Sequence, residues 1–257
     1  MFSAYFDASG TSDTRVVTVA GFVSRLSKWE RFEPAWRLIL QSANPRVTMF
    51  HMTDFVTSAN GWEEWKSGKS TERAKLIEDL VVCIRKHTNK GFANSIQTAH
   101  YRIANAEYRI AEELGNAYAV ASMGCLGGLK KWAAKNGIDY RKVLVIFEDG
   151  DTGQGEMIAK VRSEGYNAVP QSKKAVRAFD ACDLVAWKAK SLIDDSYERM
   201  LWKTNPDSAG RVMAALNQLE SVVHSDTHTL MTSDGLIRAC QAILPMPIGR
   251  RGQPVQG

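Results

Sequence analysis

Hydrophobic positions recur with two different periods along the 257-residue chain, and the switches between them outline its elements. Near the N-terminus Phe2-Ser3-Ala4-Tyr5-Phe6-Asp7 alternates, which places Phe2, Ala4 and Phe6 on one face of a strand and Ser3, Tyr5 and Asp7 on the other. Ser9-Gly10-Thr11-Ser12-Asp13 is turn-forming and leads into a β-rich run from Thr14 to Val23, so the two runs read as a hairpin. A helical period takes over next. Ser27-Lys28-Trp29-Glu30 has the form of a capping box, and Trp29, Phe32, Trp36 and Leu40 follow at helical spacing around Pro34. A second helix starts near Ser70, with Leu76, Ile77, Leu80, Val81 and Ile84 on one stripe and Arg85, Lys86 and His87 at the end that favours cations. Gly91 to Thr98 alternates as a strand. The long helical region from Ala104 to Lys135 contains Gly124, Gly127 and Gly128, which permit close packing or a break. Val143 to Phe147 is a continuous apolar run with the form of a fully buried parallel strand. A helix over 154–164, a short fifth strand over Tyr166 to Val169 and a helix opening at Phe179 complete the pattern, followed by an amphipathic segment from Arg211 to Val223 and a last helix from Ser233 to Leu244.

Composition narrows the class. With 44% hydrophobic residues the chain can bury a large core, as one domain or as one domain with an inserted subdomain. No basic leader followed by an apolar run is present, and no stretch approaches the roughly 20 apolar residues of a membrane span, so the expectation is a soluble cytoplasmic protein without membrane contact. Cys83, Cys125, Cys182 and Cys240 are widely scattered and read as buried thiols. The formal charge of +5 is compatible with a polyanionic partner without demanding one; its dense spots are Lys130-Lys131, Lys173-Lys174 with Arg177, and Arg250-Arg251.

Carboxylates carry the chemistry. Asp7 lies in an apolar strand with nothing basic beside it, so it is paired, solvated or bound to a cation. The Val143 strand delivers Glu148, Asp149 and Asp151 into a turn containing Gly150, and strand ends of this kind are where ligands bind in open α/β sheets. Asp180 and Asp183 are helical neighbours three residues apart. Three separated segments with oxygen ligands suit Mg²⁺ or Mn²⁺. His51 reads either as a site residue at the end of a short strand or as a histidine bonded to Asp54 or to backbone; Trp62 and Trp65 read as stacking or packing aromatics; His224 and His228 are spaced to bind metal only if helical.

In this order and spacing, Tyr5-Phe6-Asp7-Ala8-Ser9-Gly10, Phe50-His51 with Asp54, Phe147-Glu148-Asp149 and Asp180-Ala181-Cys182-Asp183-Leu184-Val185-Ala186-Trp187 resemble the successive motifs of the DUF3800 family, over roughly residues 1–195. The resemblance implies an α/β, ribonuclease H-like fold: a five-stranded mixed sheet flanked by helices, its first and fourth strands adjacent so that Asp7 lies beside Glu148, and a helix after the fifth strand supplying Asp183. The chain then divides into a core over 1–195 with a helical insertion around 55–137, a C-terminal helical extension over 196–248 and a flexible tail over 249–257. The implied function is hydrolysis of DNA or RNA phosphodiesters by a two-metal-ion mechanism with Mg²⁺ or Mn²⁺. Catalytic and metal-binding roles fall to Asp7, Glu148, Asp149 and Asp183, with Asp180 as a further ligand, and substrate contacts to Ser9, Gly10, His51, Lys173, Lys174 and Arg177. Two departures stand out. The family motif reads Asp-Glu-Ser-Gly where this chain has Ala8 in the second place, and its last motif reads Gln-x-Ala-Asp-Leu, so Asp183 matches the aspartate while Asp180 occupies the glutamine position. Which of Glu148, Asp149 and Asp151 faces the metal depends on strand phase, with Glu148 first if it shares a layer with Asp7. The alternatives are a catalytically inactive nucleic-acid- or partner-binding module of a defence or mobile-element system, and a nucleotide phosphohydrolase.

Overall fold

The alternating N-terminal segment becomes the strand on which the sheet is assembled. In a computed structural model, which describes residues 1–10, 13–44, 46–65, 69–223, 228–232 and 234–238, β1 (Phe2–Ser9) pairs antiparallel with β2 (Val16–Arg25) and parallel with β4 (Val143–Glu148). β2 pairs antiparallel with β3 (Lys90–Gln97), while β5 (Asn167–Gln171) and β6 (His228–Met231) add parallel to β4 and β3. The sheet is mixed and six-stranded, in the order β5-β4-β1-β2-β3-β6, rather than five-stranded. The sixth strand carries no local signature, because β6 is four residues long and partly or fully exposed throughout, so no alternation of apolar and polar positions marks it.

Helices cover both faces. Tyr5, Ala20, Phe22 and Ala93 meet α1 (Leu26–Ser42), α2 (Met52–Thr57), α3 (Ser70–His87), α8 (Ala178–Ser191), α9 (Ser196–Thr204) and α10 (Pro206–Asn217). Ala4, Phe6, Val17, Val19, Phe92 and Phe147 meet α4 (Thr98–Tyr108), α6 (Ala117–Lys135) and α7 (Gln154–Ser163) on the other side. The alternation in β1 therefore divides its side chains between two cores. Every residue of α8 is buried, because that helix lies between the sheet and the helices outside it. No helix among the described residues is long and apolar enough to cross a membrane.

Several local expectations change. The Ser27–Glu30 capping box does not form: β2 runs directly into α1, so Arg25 is the cap and no side chain caps the helix. No strand precedes His51, which instead opens α2. The region from 104 to 135 breaks at Arg109, in left-handed conformation, and again before Asn116, whose side chain caps α6; a short helix, α5 (Ile110–Glu113), lies between. The glycines interrupt nothing. A side chain at Gly124 would collide with Asn94 and one at Gly128 would press on Phe92, so these two serve close helix–sheet packing, while Gly127 faces open space. The range 55–137 supplies α3, β3 and α4 to α6, and α9 and α10 share the core of the first face through Leu201, Val212 and Leu216. Trp62 and Trp65 are core residues, and Cys83, Cys125 and Cys182 are buried and free. Residues 234–238 are helical; His224, Cys240, Arg250, Arg251 and the 249–257 tail lie outside the described residues.

Candidate functional site

Because β1 and β4 are parallel neighbours in register, Phe6 against Phe147, their C-terminal ends leave the sheet together and bring Asp7 next to Glu148. α8 crosses the same face and delivers Asp183. Between β5 and α8 a 3₁₀ turn, Lys173–Ala175, directs Lys173 into the middle of the three. Its Nζ lies 3.1 Å from Asp7 Oδ2, 3.6 Å from Glu148 Oε2 and 3.8 Å from Asp183 Oδ1. Asp7 and Asp183 are buried and Glu148 is partly exposed, so three carboxylates share one ammonium at the edge of solvent.

The electrostatics follow from that imbalance. Burial first, and then the shared contact with Glu148, push the Asp7 carboxyl up to about 8, with Lys173 offsetting only part of the rise. Burial likewise raises Asp183, opposed by Lys173, by His51 and by the backbone N–H of Met52. Burial alone would lower Lys173, but Asp183, Asp7 and Glu148 together hold it above the ordinary lysine range. The Met52 N–H, in the first turn of α2, donates to Asp183 Oδ2 at 2.6 Å. His51, just before it, places Nε2 3.6 Å from Asp183 Oδ1 and Nδ1 3.2 Å from Asp54 Oδ2. His51 is thus paired with Asp54 and borders the carboxylate centre, at a helix start and not at a strand end.

Other expected site residues go elsewhere. Asp149 is exposed and turned away, its backbone N–H bonded to Gln171 O, because strand alternation turns Glu148 inward and the next residue out. Asp151 is closer; burial and then the neighbouring Asp7 raise its carboxyl to about 6. Asp180 is fully buried, and its Oδ2 accepts from Trp36 Nε1 at 3.0 Å, Phe50 N at 3.2 Å and Arg177 Nη1 at 3.5 Å. It ties α1, the segment before α2 and α8 together, and forms no ion pair with Lys173 among the described residues. The expected ligand role passes it by: it lies about one turn nearer the start of α8 than Asp183, where its acceptor oxygen is taken up by Trp36, Phe50 and Arg177. Arg177 is buried too, donating to the carbonyls of Lys173, Lys174 and Thr48, so it braces the turn that carries Lys173 instead of facing a substrate. Lys174 is exposed beside the site. Ser9 continues the ladder opposite Thr18; Gly10, at φ +92°, is packed so closely against Lys190 Nζ and Val16 O that no side chain fits.

Two residues not singled out from the sequence shape this centre. Gln154, the first residue of α7, donates to Glu148 O and accepts from Gly150 N, which closes the turn after β4 and so aims Glu148. Asn116 Nδ2 donates to Thr152 O at 2.8 Å and holds the same turn from the side. An amide at a helix start four residues after a glycine was the available signal for Gln154; nothing local marks Asn116 as more than a cap.

Among the described residues, no group of three or more His, Cys, Asp or Glu side chains is arranged to hold a metal ion; the carboxylates here are arranged around an ammonium. The chain matches no family model, no curated protein and no solved structure.

Proposed function

We propose that this chain is a ribonuclease H-like nuclease that hydrolyses DNA or RNA phosphodiesters with Mg²⁺ or Mn²⁺. One observation carries the reading: Asp7, Glu148 and Asp183, from adjacent parallel strand ends and the helix laid across them, converge on a single cation within 3.1–3.8 Å. The placement of β1 between β2 and β4 and the DUF3800-like motifs support it.

The residues present fit a divalent ion. Asp7, Glu148 and Asp183 would hold it, and all offer hard carboxylate oxygens. Three acidic groups against one ammonium leave the centre short of positive charge, and the proton that burial retains on Asp7 up to about pH 8 is the symptom. When bound, such an ion lowers the pKa of water and neutralises charge on phosphate oxygens. The chain supplies the rest. The Met52 N–H fixes one Asp183 oxygen and leaves the other turned toward Lys173 and His51. His51 stands half-exposed at the mouth, oriented by Asp54, where it is placed to hold a water or a phosphate oxygen. Lys174 offers an exposed positive charge beside the site for the nucleic-acid backbone.

The test is cleavage of labelled single- and double-stranded DNA and RNA in Mg²⁺, Mn²⁺ or EDTA. Asp7→Asn and Asp183→Asn are expected to lose at least ~10³-fold of the metal-dependent rate while keeping the wild-type circular dichroism. Undiminished cleavage in both variants would remove the assignment. A second reading, a nucleic-acid-binding module without turnover, is favoured by Lys173 standing among the carboxylates and by Ala8 in place of an acidic residue. Binding without cleavage in either metal would select it.

A further inference from the structure

Lys173 is not an incidental neighbour of the acidic centre. Its Nζ contacts each of the three carboxylates that a pair of metal ions would share, at 3.1, 3.6 and 3.8 Å. The turn that carries it is braced from behind. Arg177 donates to the carbonyls of Lys173 and Lys174, and is itself paired with the fully buried Asp180. The Lys173 side chain is largely buried, and every acceptor it has among the described residues belongs to this centre.

Charge arithmetic then limits what else the centre admits. With all three carboxylates ionised, Asp7, Glu148 and Asp183 carry three negative charges and Lys173 one positive charge, so one divalent ion brings the four side chains to neutrality. Two ions would leave an excess of two positive charges on largely buried groups, which is costly. Asp151, the other acidic side chain in the same field, forms no ion pair with Lys173 among the described residues. The residue after Asp7 is Ala8, which packs on the opposite face of the sheet and offers the centre no ligand.

We propose that Lys173 is the permanent second cation of this centre, so that the site takes up a single divalent ion while the ammonium occupies the place of the other. The proposal rests on the metal-dependent reading above and replaces the two-ion count implied by the family resemblance. An ammonium neutralises charge but has no coordination position to offer. Lys173 is therefore a positioning residue: it keeps Asp7, Glu148 and Asp183 drawn together in one arrangement and sets how many ions they hold.

Mn²⁺ titration of the full chain decides it, by calorimetry together with paramagnetic resonance of free Mn²⁺, on wild type, Lys173→Arg and Lys173→Ala. Wild type and Lys173→Arg are expected to bind one Mn²⁺ per chain. Lys173→Ala is expected to bind a second ion, or to bind the first at least ~tenfold more tightly, because a like charge in contact with the same carboxylates has been removed. Melting temperatures with and without Mn²⁺ separate loss of the site from loss of the fold: the ion should raise that of Lys173→Ala more than that of wild type. Two ions in the wild type would overturn the proposal and leave the metal-dependent reading standing, as would a Lys173→Ala protein whose count and affinity do not rise. No bound Mn²⁺ in any of the three would remove both.

Discussion

Two lysines pack against the end of β1, Lys173 largely and Lys190 fully buried, and their surroundings are opposite. Lys173 reaches the Asp7 side and is met by three carboxylates. Lys190 lies about two helical turns beyond Asp183 on α8, packed against Gly10, with its Nζ 4.5 Å from the Tyr197 ring and no hydrogen-bond partner among the described residues. The first is held above the ordinary lysine range; burial pulls the second down to about 8, with Asp194 only partly opposing it. Burial of an ammonium is thus no mark of function in itself. What separates the pair is the number of negative charges within reach, which makes Lys173 the counter-charge of an acidic centre and Lys190 a tolerated defect in a packed one.

That contrast breaks most visibly at Lys173. Lys173→Met leaves three carboxylates without their counter-charge and should destabilise the metal-free protein by about 3–5 kcal/mol, read as a lowered urea midpoint in EDTA. A loss under ~1 kcal/mol would mean that solvent already screens the centre and that the two lysines are equivalent. Next comes Asp180→Ala, which deprives Trp36 Nε1, the Phe50 N–H and Arg177 of their acceptor and so loosens the brace behind Lys173. About 2–4 kcal/mol should be lost, with Mn²⁺ affinity reduced as a secondary effect. If stability falls while Mn²⁺ affinity stays at the wild-type value, Arg177 does not position the turn.

The smallest effect belongs to Lys190→Met, an apolar replacement of similar length for an unpaired buried amine. At neutral pH it should change stability by less than ~1 kcal/mol in either direction and leave Mn²⁺ binding untouched. Its pH dependence is more informative than its size. The folded-state value of Lys190, about 8, lies below that of the unfolded chain, so its contribution to stability is complete above the ordinary lysine range and is lost as pH falls through about 8. Relative to Lys190→Met, the wild type should therefore gain stability between about pH 7 and about pH 10, measurable as diverging urea midpoints. Parallel curves would show that Lys190 has a partner after all.

The division of β1 between two cores, the buried parallel strand ending at Glu148 and the acidic helix with Asp183 could all be read from the chain, because each is a short-range pattern of apolar and polar positions. Asp7, Glu148 and Asp183, carried by those three elements, lie together around Lys173. The two basic residues beside them are not legible in this way. Lys173 and Arg177 look like a solvated substrate-facing cluster in sequence, yet one turns into the acidic centre and the other behind it. Asp180 looks as available as Asp183, since both lie at the start of one helix, and only the surroundings of that helix separate a tie among α1, α2's leading segment and α8 from a site carboxylate.

What the sequence determined by itself was the α/β alternation of elements, the faces of the strands and the acidic identity of the site, since local periodicity and residue chemistry require no knowledge of distant neighbours. Tertiary structure alone decided the sixth strand, the inward turn of Glu148 rather than Asp149, and the meeting of Lys173 with Asp7 across 166 positions of chain. A lysine's destination depends on where the nearest uncompensated negative charge lies in space, and that charge is assembled only when β1, β4 and α8 come together.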